Sequence, residues 1–452
     1  MGLKRYKLGD LIEVTRGQSL AGEFYAEEGK YIRLTLGNFD YANGGFKPNT
    51  SKTNLYYTGP IKEQFILEEG DIITPLTEQT PGLLGSTARI PISGTYIQSQ
   101  DVALVRCKDG MINPAFCYYL LPSSSVKKQL AAGAQQTKIR HTSPDKIRDV
   151  VVDIPDISEQ RRIGQLLDAI THKIELNRSI NQNLDALAKQ LYDYWFVQFD
   201  FPNEEGRPYK SSGGKMVWND ALKRHVPSIW SFKNLKDVAC FVKDKVETSK
   251  LNLNTYISTE NMQPNRGGIS IASNLPNTNY VTACNCGDIV IANIRPYFKK
   301  IFLIPTNGFG CSSDVLCIRA NDPMYSRFVY GTLSDDAFFD YVMSGAKGSK
   351  MPRGDKEQIM QYPVIVPNKE LVEIFNCVVF PIHSQIHLYR KQAESLTKQR
   401  DELLPLLMNG QMSLNSDLSN RGVSGAYSGD TRSAIPVIPV HSVVDLQYRR
   451  QN

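Results

Sequence analysis

The sequence predicts an α+β protein. It has two similar strand-rich domains and two long helices that pair as an antiparallel coiled coil, giving a pseudo-two-fold internal repeat. Three observations carry this. The run from Asp156 to Trp195 places Ile163, Leu167, Ile170, Ile174, Leu184, Ala188, Leu191 and Trp195 at steps of three and four, with no Gly or Pro after Gly164. That spacing averages the 3.5-residue period of a coiled-coil seam. The pattern returns 212 residues later as Phe375, Val379, Ile382, Ile386, Tyr389, Ala393, Leu396, Arg400, Leu403 and Leu407. Finally, each run follows a region of short strands punctuated by Gly, Asn and Pro. Two long helices with one apolar stripe each have the same reason to bury it, and each can cover the other.

Taken in order, residues 1–155 form the first domain. Strands are expected at Tyr31-Ile32-Arg33-Leu34, Gly70-Asp71-Ile72-Ile73 and Val102-Ala103-Leu104-Val105, and a helix at Pro114 to Leu121. A Gly-rich basic piece, Gly133 to Arg140, precedes a last strand at Val150 to Ile154, which Pro155 ends. Asp156 can cap the helix that follows, with Glu159 as its capping-box partner. Residues 156–200 are the first long helix, and Asn177 and Asn181 take its remaining seam positions. These two either fix the register or mark the stripe's drift to the surface.

Residues 201–230, rich in Gly, Pro and Ser, are a connector held by Trp218 and Trp230. The pattern then restarts over residues 231–367. Leu235-Lys236-Asp237-Val238 echoes Leu8-Gly9-Asp10-Leu11, Tyr256-Ile257 echoes Tyr31-Ile32, and Gly287-Asp288-Ile289-Val290 echoes Gly70-Asp71-Ile72-Ile73. Residues 368–411 are the second long helix, expected to kink near Pro381 and to end or bend at Pro405. Residues 412–452 are a polar tail, read as an arm without assigned structure.

A hydrophobic fraction of 41% and a charged fraction of 22% describe a globular protein, and a formal charge of +6 permits a polyanionic partner. Neither a secretory signal nor an apolar run of membrane length is read, which points to the cytoplasm. The eight cysteines form no disulfide framework. Cys284-x-Cys286 with Cys311 or Cys317 lacks the second tight pair of a zinc site, and no metal is assigned. His383 and His387, four apart, are placed on a solvent-facing side of the helix. No phosphate-cradling loop, methyltransferase motif or nucleophile–base pattern is present, so no catalytic residue is assigned.

Binding is what remains. Both domains carry a basic segment before their last strand and a polar or basic loop after the Gly-Asp-Ile strand. The DNA-contacting candidates are Gln79, Gln135, Gln136, Thr137, Lys138 and Arg140 in the first domain. In the second they are Arg295, Tyr297, Lys299, Lys347, Ser349, Lys350 and Arg353. Lys and Arg supply phosphate contacts, whereas Gln and Arg can pair with base edges in the major groove.

Several local runs resemble the specificity subunit of type I restriction–modification systems. They are Gly-Ala-Gln-Gln-Thr-Lys at 133–138, Ile154-Pro155 through Glu159-Gln160, Leu191 to Phe201, Pro208 to Gly214, and Asp401 to Leu407. The resemblance covers residues 1–412. It implies two target-recognition domains, each reading one part of a split duplex sequence, and a coiled coil that sets the spacing. A helix of about 40 residues at about 1.5 Å each spans about 60 Å. It further implies two methyltransferase subunits that bring S-adenosylmethionine and adenine-N6 chemistry, and a motor-nuclease subunit for cleavage. This chain itself takes no cofactor in that picture. The competing readings are a self-sufficient DNA-modifying enzyme and a repeat adaptor that binds protein alone.

Overall fold

The computed structural model describes residues 2–41, 44–78, 82–133, 140–348 and 350–412, with Arg140 described through its backbone only. The described residues divide into two compact units, residues 2–176 with 392–412 and residues 177–391, and the tail expected over 412–452 lies outside them from residue 413 on. Both long helices, Ile157–Tyr192 and Lys369–Met408, pass from one unit to the other.

In unit one a four-stranded antiparallel sheet runs Ile12–Arg16, Val102–Cys107, Ile72–Pro75 and Ala88–Arg89. A second sheet orders Tyr25–Ala26, Tyr56–Tyr57, Tyr31–Arg33 and Tyr96–Ile97, the last two parallel. Lys4–Lys7 pairs with Val151–Ile154 and so ties the start of the chain to the strand entering the first helix. There Asp156 caps the helix, its carboxylate accepting from the Ser158 and Glu159 amides at 2.9 and 3.0 Å. Leu8, Leu11, Val105, Phe116 and Val126 form one core with Ile163 and Leu167 of the first helix and Leu407 and Met408 of the second.

Unit two repeats the plan. Ala239–Phe241, Val315–Ala320, Ile289–Ala292 and Ile301–Leu303 form a sheet in the same order, and Ser231–Asn234 pairs with Pro363–Val366. The Gly-Asp echo has a backbone cause: Gly70 and Gly287 both sit at φ +86°, where a side chain is strained. The aspartate that follows each bonds the amide three residues back. The second sheets differ. Tyr280–Cys284 pairs with Phe309–Cys311, whereas Tyr56–Tyr57 in unit one pairs with Tyr31–Arg33.

Unit two buries the end of the first helix against the start of the second. Tyr192, Trp195 and Phe196 pack with Phe328, Phe375 and Val379 in one core, the Phe196 and Phe375 rings 4.8 Å apart. Tyr192 meets the Thr332 hydroxyl at 2.8 Å, and a Cβ on Gly331 would lie 2.2 Å from its ring. The connector is ordered by Trp230, which stacks on Phe201 at 4.7 Å; Trp218 is exposed.

The helix-pairing positions divide cleanly by burial. Ile163, Leu167, Ile174, Phe375, Val379 and Ile386 are buried, while Ile170, Leu184, Leu191, Ile382, Leu396 and Leu403 are half-buried. Within each unit the start of one helix meets the end of the other, which is antiparallel pairing. Asn177 and Asn181 are 3% and 7% exposed, so they lie in the seam and not at the surface. The Asn181 carboxamide inserts beside a rung of the second helix, donating to the Ile386 carbonyl and accepting from the Arg390 amide at 3.2 Å each.

Three sequence expectations need correction. The second helix continues past Pro405 to Met408 and does not end at that proline. Pro381 and Pro405, and the Cys377 and Asp401 carbonyls they orphan, lie on exposed positions where water can replace the missing donor. His383 and His387 are not on a solvent face. Both are half-buried, and His383 lies against the helix Ser326–Ser334, where the Tyr330 ring meets its imidazole edge-on at 5.8 Å. Finally, an 18-residue window of the second helix reaches a mean hydropathy of 1.2, long and apolar enough by composition to cross a membrane. This feature follows from the helix having apolar contacts on two sides.

Candidate nucleic-acid interface

In each unit the strand after the Gly-Asp-Ile turn extends into a rung with the residues that follow the basic segment. In unit one Thr77–Glu78 pairs with Arg140–His141. In unit two Ile294 bridges Arg353, and the Arg295 amide donates to the Pro352 carbonyl at 2.8 Å. In unit two the two segments picked out, far apart in sequence, are therefore neighbours in space, and in unit one the residues flanking them, Glu78 and Arg140, are paired.

In unit one Gln79, Gln135, Gln136, Thr137 and Lys138 lie outside the described residues, and Arg140 is placed by its backbone. The residues around them are closely held. Glu78 is 2% exposed, and its Oε2 accepts from the Leu83 and Leu84 amides at 2.8 and 3.0 Å. Burial pushes the Tyr41 phenol up to about 12, with the Glu78 carboxylate adding to the effect. Lys127 donates to the Gly82 carbonyl at 3.1 Å, and Lys146 closes the end of a helix at the Gly133 carbonyl at 2.7 Å. Glu78 thus ties the end of its strand to the Leu83 and Leu84 backbone.

Unit two shows its loops in full. Asn293 to Lys300 contains one 3-10 turn, Pro296–Phe298, flanked by Arg295 and Lys299, both left-handed at φ 52° and 51°. Non-glycine residues pay for that backbone shape and cluster at functional sites. Tyr297 and Phe298 are 46% and 38% exposed, with ring centroids 4.7 Å apart. Lys299 reaches Asp336 at 2.8 Å, and Arg266 reaches the same carboxylate. Those two hydrogen-bonded cations hold Asp336 down to about 2. Lys347 pairs with Asp355 at 2.8 Å and Arg353 with Asp314 at 3.2 Å. Lys350 is exposed, and Ser349 lies outside the described residues.

Arg266 was missed by sequence reasoning. Its loop lies along the candidate loop, with the Asn265 and Arg266 amides donating to the Phe298 and Lys299 carbonyls at 2.8 and 3.0 Å. The run Asn265-Arg266-Gly267-Gly268 marks a turn, but nothing local in the sequence says which loop that turn touches.

This arrangement suits binding. Its lysines and arginines suit phosphate and base edges, and its exposed aromatics suit sugar and base faces. Cys284, Cys311 and Cys317 are buried together, and Cys286, in the turn after the strand that ends at Cys284, is exposed. Shared hydrogen bonds hold the Cys311 thiol down to about 5 and push Cys284 and Cys317 up. Among the described residues no group of three or more His, Cys, Asp or Glu is placed to hold a metal ion.

Residues 2–186 match the family model of the type I restriction modification DNA specificity domain. The chain is 22% identical over 358 residues to the type I restriction enzyme MjaIX specificity subunit of Methanocaldococcus jannaschii, covering 73% of this chain and 78% of that protein. It is 21% identical over 379 residues to the HindI specificity subunit of Haemophilus influenzae, covering 70% and 81%. Its fold is similar to that of the type I restriction–modification S subunit from M. genitalium, with a TM-score of 0.58, 17% identity, and coverage of 90% of this chain and 96% of that one.

Proposed function

We propose that the chain is a specificity subunit of a type I restriction–modification system and that each of its units reads one half of a split duplex DNA sequence. The observation that carries this is the repeated rung. In both units it pairs the end of the strand after the Gly-Asp-Ile turn with the residues that follow the basic segment, next to the candidate phosphate- and base-contacting positions. The framework is shared and the loops on it differ, as two readers of different sequences require.

The paired helices serve as the spacer between half-sites and, with the connector, as the platform for partners. Two methyltransferase subunits bind this platform and bring S-adenosylmethionine and the adenine-N6 chemistry. A motor-nuclease subunit joins for cleavage. The chain works in the cytoplasm, where its DNA is, and contributes recognition without catalysis.

The test is to purify the chain and measure methyl transfer from S-adenosylmethionine to target DNA, with and without the methyltransferase partner. Transfer is expected only with the partner, with DNA binding that weakens steeply as salt rises. Transfer by the isolated chain would favour a self-sufficient enzyme, and salt-independent behaviour with no DNA binding would favour a protein adaptor.

A further inference from the structure

We infer that Arg295 is a base-reading residue of unit two and that it reads a guanine. The inference rests on the DNA-reading function proposed above and assigns one side chain to one kind of base.

Most of the cations around this loop are already engaged. Arg266 and Lys299 share Asp336, Arg353 holds Asp314, Lys347 holds Asp355, and the Lys300 ammonium donates to the Thr259 carbonyl at 2.6 Å. Arg295 is different. No carboxylate pairs with it among the described residues, and its Nε is sealed from solvent without a hydrogen-bond acceptor. A guanidinium carries five N–H donors. With Nε shut in, the terminal nitrogens are the ones left for a ligand.

The backbone beneath this side chain is unusually constrained. Arg295 is left-handed at φ 52° and ψ 63°. Its amide donates to the Pro352 carbonyl at 2.8 Å, and its own carbonyl accepts from the Phe298 amide at 3.0 Å. Buried Pro296 follows it. A long side chain on so fixed a base loses less freedom on binding than one on a loose loop. Exposed Tyr297 and Phe298 stand beside it as apolar faces for sugar or base.

The equivalent rung of unit one supplies a contrast. There Glu78 pairs with Arg140 just as Arg295 pairs with Pro352, 212 residues on from Arg140. Glu78 is buried and bonded to its own loop. One framework position is thus a structural brace in one copy and a free fork in the other. A fork of parallel N–H donors matches the O6 and N7 acceptors of guanine in the major groove, which no other base presents together. Lys350, a point charge without that geometry, suits phosphate.

The experiment uses the methyltransferase complex assembled with the full chain. Its target is found by mapping methylated adenines in DNA from the source cell, and binding is measured on duplexes changed one base pair at a time. Arg295→Ala is expected to erase a preference of roughly ten- to a hundredfold at a single G·C pair in one half-site while leaving the other half-site unchanged. Arg295→Lys, which keeps the charge and the stem, should recover affinity without recovering that preference. Lys350→Ala should weaken all duplexes alike and flatten the salt dependence. If Arg295→Ala weakens every duplex alike, erases a preference at an A·T pair, or changes nothing, the inference falls while the DNA-reading function stands. A wild-type complex with no sequence preference would overturn both. Equal assembly of wild type and all three variants, checked by size-exclusion chromatography, separates lost reading from lost folding.

Discussion

At the scale of single residues, His383 shows how position outweighs residue type. Burial beneath Ser326–Ser334, with the Arg327 and Arg390 guanidiniums nearby, lowers its imidazole from 6.5 to about 4. Asp185 engages Arg390 at 3.2 Å, Phe380 covers Arg327 and Tyr330 packs on the ring, so no carboxylate among these neighbours offsets the shift. Between pH 6.5 and 4 the unfolded chain binds a proton here that the folded chain refuses. Stability therefore rises with pH across that window and falls as pH drops through it, by up to about 3 kcal/mol for a shift of this size. His383→Gln should flatten that part of the pH dependence of the thermal midpoint. A variant whose profile runs parallel to wild type would show that His383 is not the group responsible. The sequence located a histidine pair at helical spacing, but only the neighbouring helix reveals that its surroundings are dry and cationic.

At the scale of elements, the seam was legible because burial of a helical stripe leaves a period that needs no tertiary knowledge. Ile163, Leu167, Phe375 and Val379 are buried as that period requires. What it left open was the fate of Asn177 and Asn181, since a polar residue at a seam position fits both a register pin and a drifting stripe. The inserted carboxamide of Asn181 settles the matter. Asn181→Ala leaves a hole in the seam and removes two bonds to the opposite helix, so it should cost about 1–2 kcal/mol, read as a lower urea midpoint. An unchanged midpoint would mean those bonds contribute nothing net. The reading of His383 and His387 failed for a related reason. A one-stripe analysis assigns every remaining position to solvent, yet this helix is covered on a second side by a domain helix. Pro405 as a helix end misled in the opposite direction, because a proline on an exposed face can be carried by a helix whose inner face is well packed.

At the scale of the molecule, duplication was visible as echoes at a drifting offset, and the two main sheets do share one strand order. The second sheets do not, which places the divergence in the loops and short strands beside the candidate interface. Exchange of residues 1–155 for the matching domain of another such subunit should therefore change one half of the recognised sequence and leave the other intact, as read by mapping methylated adenines. A change in both halves would refute independent reading by two units. By itself the sequence determined the repeat, the helix pair and the absence of assembled catalytic motifs, because periodicity, turn residues and motif spacing are local properties of the chain. Only the tertiary structure decided that segments some sixty residues apart share a rung in each unit, that Glu78 is bound to the Leu83 and Leu84 amides, and that no carboxylate among the described residues pairs with Arg295. Those facts depend on which distant groups meet, and pairing energies between distant groups leave no periodic trace in the order of residues.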